Sequence, residues 1–131
     1  MRHDSRPAMP VPNIELLDRV LAQTEEHPDQ WDQDVWRCGT TYCFAGWACQ
    51  MTGAQWAQSA SAGCPPDWVV ADDQDDLGTA CIDDLGRKVI EPGRRARRLL
   101  GLTVGEGVRL FLDCDTLAEI RAVVADIKAR A

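Results

Sequence analysis

One uncharged stretch constrains the fold of this chain more than any other feature: no Asp, Glu, Lys or Arg occurs from residue 38 to residue 66. Charged residues make up 27% of the whole sequence, so a gap of this length indicates a segment that is buried on folding. Residues 40–53 are apolar on every side of a helix, with Thr40 or Thr41 as the N-cap and Gly53 as the C-terminal stop. We therefore predict a central helix that other elements cover completely.

The rest of the sequence predicts elements that can surround this central helix. Asn13 is a good N-cap for a helix that ends near Glu26, before Pro28. Pro92 and Gly93 are predicted to break the chain before the next helix.

The later segments with a helical pattern are 96–100, 103–111 and 116–131. Gly101 is predicted to end the first, Thr103 and Glu106 to form a capping box for the second, and Thr116 to cap the third. Residues 81–90 indicate two short strands around a turn at 84–86.

These patterns together predict a mainly helical α+β fold, with about four to five helices around the buried central helix and a small β-hairpin. A chain of 131 residues has room for one domain of ordinary size. Residues 1–12 are rich in proline and have no periodic apolar pattern, so we interpret them as a flexible N-terminal arm. Residues 13–131 are predicted to form a single compact domain.

The charge balance argues against two classes of partner. The chain has 21 acidic and 14 basic residues and a formal net charge of −7, whereas broad binding to a phosphate backbone needs a cationic face. The sequence starts without an apolar run of signal-peptide length, and its longest apolar stretch, residues 42–49, is too short to cross a membrane. We expect a cytoplasmic protein that binds neither nucleic acid nor membranes.

The cysteines of this chain are predicted to be free thiols, because disulfides are rare in the cytoplasm. The 6 cysteines are irregularly spaced and include no C-x-x-C pair, which is the spacing typical of zinc sites. Buried thiols that pack as small hydrophobic groups are the simplest interpretation. We expect no metal site and no cofactor.

Cys43 is the one cysteine whose position favours chemistry. In the first turn of a helix, unpaired N–H groups and the helix dipole lower the pKa of a thiol and expose the thiolate as a nucleophile. A cysteine enzyme also needs a base, and His27 is the only candidate, since His3 lies in the N-terminal arm. A hydrolase or transferase that uses Cys43 and His27 is therefore one alternative function.

An acidic run extends from Asp67 to Asp84. Neither alignment of this run with a calcium-binding loop places both the ligands and the required glycine, so a solvated acidic loop is favoured. The polar linker at residues 29–37 carries two tryptophans, and exposed aromatic residues beside charge make good protein anchors. We predict protein binding through Trp31, Trp36, Asp72, Asp73, Asp75 and Asp76.

Residues 93–111 have the outline of a helix-turn-helix with a cationic first helix, which makes DNA binding a second alternative. Against it, Gly105 and Gly107 weaken the second helix, and Glu106 would face phosphate. We favour an interpretation in which the arginines pair with the aspartates of the preceding segment and form a solvated face. The residues that DNA binding would use are Arg94, Arg95, Arg97, Arg98 and Arg109.

Several short motifs together resemble a family of small uncharacterised proteins from actinobacteria and bacteriophages. The motifs are Trp31-x4-Trp36, Cys38-Gly39-Thr40-x2-Cys43-x-Ala45-Gly46-Trp47, Leu99-Leu100-Gly101-Leu102-Thr103-x2-Glu106, Leu110-Phe111 and Thr116-Leu117. The C-G-T-x-x-C-x-A-G-W string is the most specific of them, and Gly107 departs from the alanine expected after Glu106. The resemblance implies one compact fold and a phage or mobile-element origin, and it carries over no catalytic or binding residues.

The leading functional hypothesis is a non-enzymatic protein-interaction module, encoded by a phage or mobile element, that binds a host or phage protein. It rests on a strong core signature combined with a sequence that offers one usable histidine, no phosphate-binding glycine loop and no metal-ligand pattern.

Overall fold

The computed structural model of this chain describes residues 9–58, 67–75, 77–78 and 80–131. These residues form a mainly helical α+β fold, as predicted, with small antiparallel sheets beside the helices. The helices are α1 (Ile14–Glu26), α2 (Phe44–Met51), α3 (Pro92–Leu100), α4 (Val104–Phe111) and α5 (Leu117–Ala129). The strands are β1 (Arg37–Cys38), β2 (Thr41–Tyr42), β3 (Val69–Val70), β4 (Cys81–Ile82) and β5 (Lys88–Ile90).

Some of the residues considered in the sequence lie outside the described residues. They are most of the predicted N-terminal arm (1–8), Cys64 and Asp76. Within the described ranges, every helix is too short or too polar to span a bilayer.

The predicted caps of three helices are confirmed. The side-chain oxygen of Asn13 accepts a hydrogen bond from the backbone N–H of Leu16 and starts α1. Thr103 and Glu106 form a reciprocal capping box at α4, in which each side chain accepts from the other residue's backbone N–H. Thr116 caps α5 in the same way, because its hydroxyl accepts from the N–H three residues later.

The start of the central helix differs from the prediction. Neither Thr40 nor Thr41 caps α2; Cys43 is the N-cap, and its sulfur accepts from the N–H of Gly46 at 3.3 Å. The earlier residues form the unpredicted β1–β2 hairpin, which turns at Gly39 with a positive φ of 62°. Hairpin pairing uses the backbone groups that a longer helix would need, so α2 begins later.

The start of α3 also differs from the prediction, whereas its end and the preceding hairpin agree with it. Pro92 does not break the chain but occupies the first turn of α3, where its fixed φ is compatible with a helix and its missing N–H costs nothing. Helix α3 ends as predicted at Gly101, which has a left-handed conformation with φ 67°. Strands β4 and β5 form the predicted hairpin with Gly86 in its turn, and β3 pairs with the other edge of β5.

Helix α2 is the central buried helix that the uncharged stretch predicts. Phe44, Ala45, Ala48 and Cys49 are fully buried and pack in one core cluster with residues of α1, α3, α4 and α5. The burial does not extend through the whole stretch, since residues 38–40 at the hairpin turn are exposed. Within the described part of the stretch, the absence of charge marks the core at residues 42–49, whereas Gln50, Thr52 and Gly53 at the end of α2 are exposed again.

The polar linker at residues 29–37 packs directly against α2. A Cβ built on Gly46 would lie 1.9 Å from the carbonyl oxygen of Trp36, so only glycine lets the linker backbone approach the helix this closely. The indole N–H of Trp47 donates to the carbonyl of Gln30 at 2.9 Å, and the side chain of Gln33 donates to the carbonyl of Leu110 at 2.8 Å. These bonds fix the linker next to the C-terminal end of α4.

Candidate protein-binding groove

The arginines of α3 pair with the aspartates of the loop that follows β3. Arg98 donates to the carboxylate of Asp72 at 2.8 Å and to Asp75 at 3.1 Å. Arg95 donates to both carboxylate oxygens of Asp75 and to the carbonyl oxygen of Val70. The pairing favoured from the sequence is therefore present.

This pairing is buried rather than solvated, which the sequence analysis did not predict. The side chain of Asp75 is 1% exposed and that of Arg95 is 9% exposed. Burial by itself raises the pKa of Asp75, but hydrogen bonds from Arg95, from the backbone of Asp72 and from Arg98 outweigh it and hold the pKa below its ordinary value of 3.8. The carboxylate stays charged inside the protein because its partners satisfy it.

The buried network removes part of the predicted protein-binding surface. Asp75 cannot contact a partner in this conformation, and Asp72 already binds Arg98. Asp73 is exposed, whereas Asp76 lies outside the described residues. Asp72 keeps a side chain that is 47% exposed although it binds Arg98, so Asp75 is the described aspartate that burial withdraws from this surface.

The same network removes most of the predicted DNA-binding face. Arg95 is buried, and Arg98 is held by two carboxylates. Arg109 on α4 pairs with Asp126 of α5 at 2.9 Å. Arg94 and Arg97 instead face a depression between α3 and α4, and within the described residues the guanidinium group of Arg97 has no ion-pair partner.

A depression of about 220 Å³ lies between α3 and α4 and has an apolar character along α4. Val104, Val108 and Leu112 line it, and they are exposed by 63%, 40% and 63%, respectively. The spacing of four residues places Val104 and Val108 on one face of the helix, and Leu112 is the C-cap residue that follows it. Large exposed apolar side chains that form one continuous stripe are typical of interaction surfaces. We call these three residues the α4 stripe.

Trp36 borders this depression and connects it to a second one. A Cβ built on Gly93 of α3 would lie 3.1 Å from Cη2 of Trp36, so the indole packs against the start of α3. The second depression, of about 320 Å³, shares Trp36, Phe111 and Leu112 with the first and adds the carboxylates of Asp34 and Asp67. We call the two depressions together the α3–α4 groove.

Trp31 contributes to a separate acidic cleft of about 500 Å³, next to the groove. Its indole N–H donates to the side chain of Gln33 at 3.0 Å, and Gln33 lines both the cleft and the groove. Both predicted tryptophans are partly buried against the core, so each presents only part of its ring to solvent. The carboxylates that line the cleft are Asp29, Asp32, Asp34 and Asp115.

The sequence analysis missed the α4 stripe, although a signal for it is present. Helix α4 carries more apolar residues than it buries: Leu110 and Phe111 are buried, whereas Val104, Val108 and the C-cap residue Leu112 are exposed. A spacing of four residues between Val104 and Val108 and again to residue 112 was visible. The excess of apolar residues over what one buried face requires is the feature that could have identified a contact surface.

The environment of Cys43 does not favour a nucleophile. Its side chain is buried at the start of α2 with 1% exposure, and burial raises the pKa of the thiol to about 12 despite hydrogen bonds from the backbone of Gly46 and Ala45. The predicted helix-terminus effect is real but smaller than the cost of removing a thiolate from water. His27 is exposed at the end of α1.

No group of three or more His, Cys, Asp or Glu side chains within the described ranges has an arrangement that could hold a metal ion. Comparison with known protein families, curated proteins and solved structures finds no match to this chain. The α3–α4 groove is thus the feature of the described surface on which a functional proposal can be built.

Proposed function

We propose that this chain is a non-enzymatic, cytoplasmic protein-interaction module and that the α3–α4 groove is its contact surface. The observation that carries the proposal is the α4 stripe, which exposes Val104 and Val108 on one face of α4 and Leu112 at its C-cap. Burial of such side chains on contact with another protein stabilises a complex by about 25 cal/mol per Å² of apolar surface. The exposed side chains of the α4 stripe lower the solubility of the free protein, and they are not part of its hydrophobic core.

The surroundings of the stripe support a protein as the partner. Trp36 and the guanidinium group of Arg97 flank the apolar residues, and Trp and Arg are among the residues that contribute most to protein–protein contacts. Both side chains are held by packing, since Trp36 lies against Gly93 and Arg97 lies over Gly107. Anchors that are fixed before binding lose little conformational entropy when the complex forms.

The contact surface that we propose lies at a different location from the one that the sequence predicted. The sequence placed the contact surface on the acidic loop and the linker, and Trp36 is the residue common to both descriptions. The resemblance to small phage-encoded proteins makes a host or phage protein the natural class of partner. Recruitment of a different protein and association of this chain with itself are both forms of the proposed function.

The two alternative functions receive less support from the geometry. An enzyme built on Cys43 would need its sulfur to reach a substrate, and the sulfur is buried with a raised pKa. A DNA-binding module would need free arginines on α3 and a polar outer face on α4, but two of the arginines are bound by aspartates and the outer face carries the stripe.

Site-specific photo-crosslinking tests the proposal. A photoreactive phenylalanine analogue placed at Val108 should form adducts with another polypeptide in cells that express the full chain. The matched control is the same analogue at Leu85, which is 64% exposed in the turn between β4 and β5, away from the groove. Adducts at 108 and not at 85 support the proposal, whereas an absence of polypeptide adducts at 108 contradicts it.

A further inference from the structure

Arg130, the C-cap residue of α5, bonds to three other segments of the chain. Its Nε and Nη2 atoms donate to the two carboxylate oxygens of Glu106 in the first turn of α4. Nη2 also donates to the carbonyl oxygen of Gly101 at 3.2 Å, and Nη1 donates to the carbonyl oxygen of Pro10 at 2.9 Å. One guanidinium group therefore joins the end of α5 to the N-terminal segment, the α3–α4 turn and the start of α4.

The carbonyl groups at the end of α3 are bonded by residues from both ends of the sequence. The backbone N–H of Asn13 donates to the carbonyl of Leu100 at 2.9 Å, and its side-chain amide donates to the carbonyl of Leu99 at 3.4 Å. Arg130 bonds the carbonyl of Gly101, the next residue. The last carbonyls of a helix lack partners within the helix, and a cation near them is favourable. Asn13 and Arg130 together therefore cap α3.

The N-terminal segment lies directly on the α3–α4 turn. A Cβ built on Gly101 would be 1.9 Å from the carbonyl oxygen of Val11, so the two backbones are in close contact. Of residues 9–12, only Pro12 is buried, and the side chains of Met9 and Val11 are 62% and 83% exposed. The burial of side chains thus contributes little to holding this segment, and its backbone bonds matter correspondingly more.

Glu106 connects the bonds of Arg130 to the capping of α4. Its Oε1 atom accepts from the backbone N–H of Thr103 at 2.9 Å and from Nη2 of Arg130 at 2.8 Å. The side chains of Glu106 and Arg130 are only 13% and 23% exposed, whereas those of the Lys128–Asp18 pair are 41% and 50% exposed. Bidentate pairs with little exposure are stronger than open surface pairs, so Arg130 holds the capping carboxylate in place.

We infer that Arg130 is a clasp, a conformational device that keeps the α3–α4 turn closed and links its opening to the release of residues 9–13. When the clasp opens, the turn, the start of α4 and the N-terminal segment become mobile together, while α2 and the core around it stay folded. Because α3 and α4 form the walls of the α3–α4 groove, the clasp also fixes their relative position. The inference does not rest on the proposed function, since none of its readouts needs a partner.

Amide hydrogen exchange of the full chain, followed residue by residue by NMR, tests the clasp. The amides to observe are those of Asn13, Leu102 and Thr103, which donate within the clasped region. In Arg130→Gln we expect all three to exchange at least about tenfold faster, because the region opens as one local unit. The amides of α2 should keep their rates within about twofold and serve as the internal reference.

Lys128→Gln is the matched control, because it changes a cation in the last turn of the same helix and removes only the exposed pair with Asp18. It should leave the exchange of the clasped amides unchanged. Three results would overturn the inference: unchanged exchange in Arg130→Gln, equal acceleration in Lys128→Gln, or equal acceleration of the α2 amides. The last of these would mean that Arg130 stabilises the whole fold rather than a local unit.

A second variant tests whether Glu106 and Arg130 act as one unit. Glu106→Gln retains an oxygen for the N–H of Thr103, since glutamine also forms capping boxes, but it removes the charge that binds Arg130. Asn13 does not bond to Glu106, yet its amide should still exchange faster in this variant. The double variant with Arg130→Gln should exchange no faster than Arg130→Gln alone. An unchanged Asn13 amide in Glu106→Gln, or additive effects in the double variant, would refute the linkage.

Discussion

Asp75 and Arg95 form a buried ion pair that joins the loop after β3 to helix α3. The Nε atom of Arg95 donates to the two carboxylate oxygens at 3.1 and 3.0 Å, and Nη2 donates to the carbonyl oxygen of Val70 at 2.7 Å. One guanidinium group thus connects α3, the loop and β3. The pair also takes the guanidinium group of Arg95 out of the cationic face of α3.

Removal of the aspartate should destabilise the fold strongly. Asp75→Ala leaves the buried guanidinium group of Arg95 with only the half-exposed carboxylate of Asp72, at 3.8 Å, as a counter-charge, and we expect the free energy of unfolding to fall by about 3 kcal/mol. Urea unfolding followed by circular dichroism measures the change. The control is Asp73→Ala, which alters an exposed residue of the same loop and should cost less than about 0.5 kcal/mol. Equal losses of unfolding free energy in the two variants would show that the Asp75–Arg95 ion pair does not hold the loop to α3.

The same ion pair predicts how stability depends on pH. The pKa of Asp75 in the folded protein lies below its ordinary value of 3.8, so the unfolded chain takes up this proton first as the pH falls. The stabilisation is complete above about pH 5 and is lost as the pH falls through the folded pKa. We expect the free energy of unfolding to decrease from about pH 5 to about pH 3, and to decrease less in Asp75→Ala. Identical slopes for the two proteins would contradict the assignment.

Two glycines should respond to the same substitution in opposite directions. Gly46→Ala places a Cβ 1.9 Å from the carbonyl oxygen of Trp36, and backbone cannot move aside cheaply, so we expect a loss of about 3 kcal/mol or more. Gly105→Ala adds a Cβ in open space and should raise stability by up to about 1 kcal/mol. Thermal unfolding of both variants at low protein concentration, where self-association is minimal, measures the difference. A tolerated alanine at position 46 would refute the close approach of linker and α2.

The parts of the fold that the sequence predicted are those that depend on local chemistry. Asn13, Thr103 and Thr116 were identified as caps because a side-chain oxygen that bonds a nearby N–H acts within one turn of its own helix. The predicted start of α2 was wrong because the β1–β2 hairpin determines where the helix begins. Each strand of this hairpin has only two paired residues, which are too few to give a strand pattern in the sequence. The prediction that Pro92 breaks the chain was wrong because a proline can either end one element or occupy the first turn of the next helix.

The candidate site was less predictable because it depends on which elements meet. The sequence indicated that arginines and aspartates would pair, but only the fold shows that Asp75 is the buried partner. The α4 stripe was visible as spacing, yet Val108 and Leu110 look equally fit for the core until the packing of the neighbouring helices decides. A charge-free stretch identified the core without identifying the surface, since a contact surface is defined by what the core leaves uncovered.

The thiols should differ strongly in reactivity. Cys38 is exposed on the β1–β2 hairpin, whereas Cys43 and Cys49 are buried with pKa values raised to about 12. At neutral pH a rise from 9.0 to about 12 lowers the thiolate fraction roughly a thousandfold. Iodoacetamide followed by peptide mass spectrometry should label Cys38 in the native protein, and Cys43 and Cys49 only in denaturant. Native labelling of Cys43 at the rate of Cys38 would revive the enzyme alternative.

The protein should not retard duplex DNA, even at about 50 mM salt, where electrostatic binding is strongest. Arg95 is buried, Arg98 is bound by Asp72 and Asp75, and the chain carries a formal net charge of −7. A gel-shift titration with a mixed-sequence duplex checks this expectation. The opposite result would be a shift that weakens steeply with added salt and disappears in Arg94→Ala with Arg98→Ala, while Arg121→Ala on α5 leaves it unchanged. That pattern would show that the loop releases the arginines of α3 when DNA is present, and it would move the contact surface from the apolar stripe to the cationic helix.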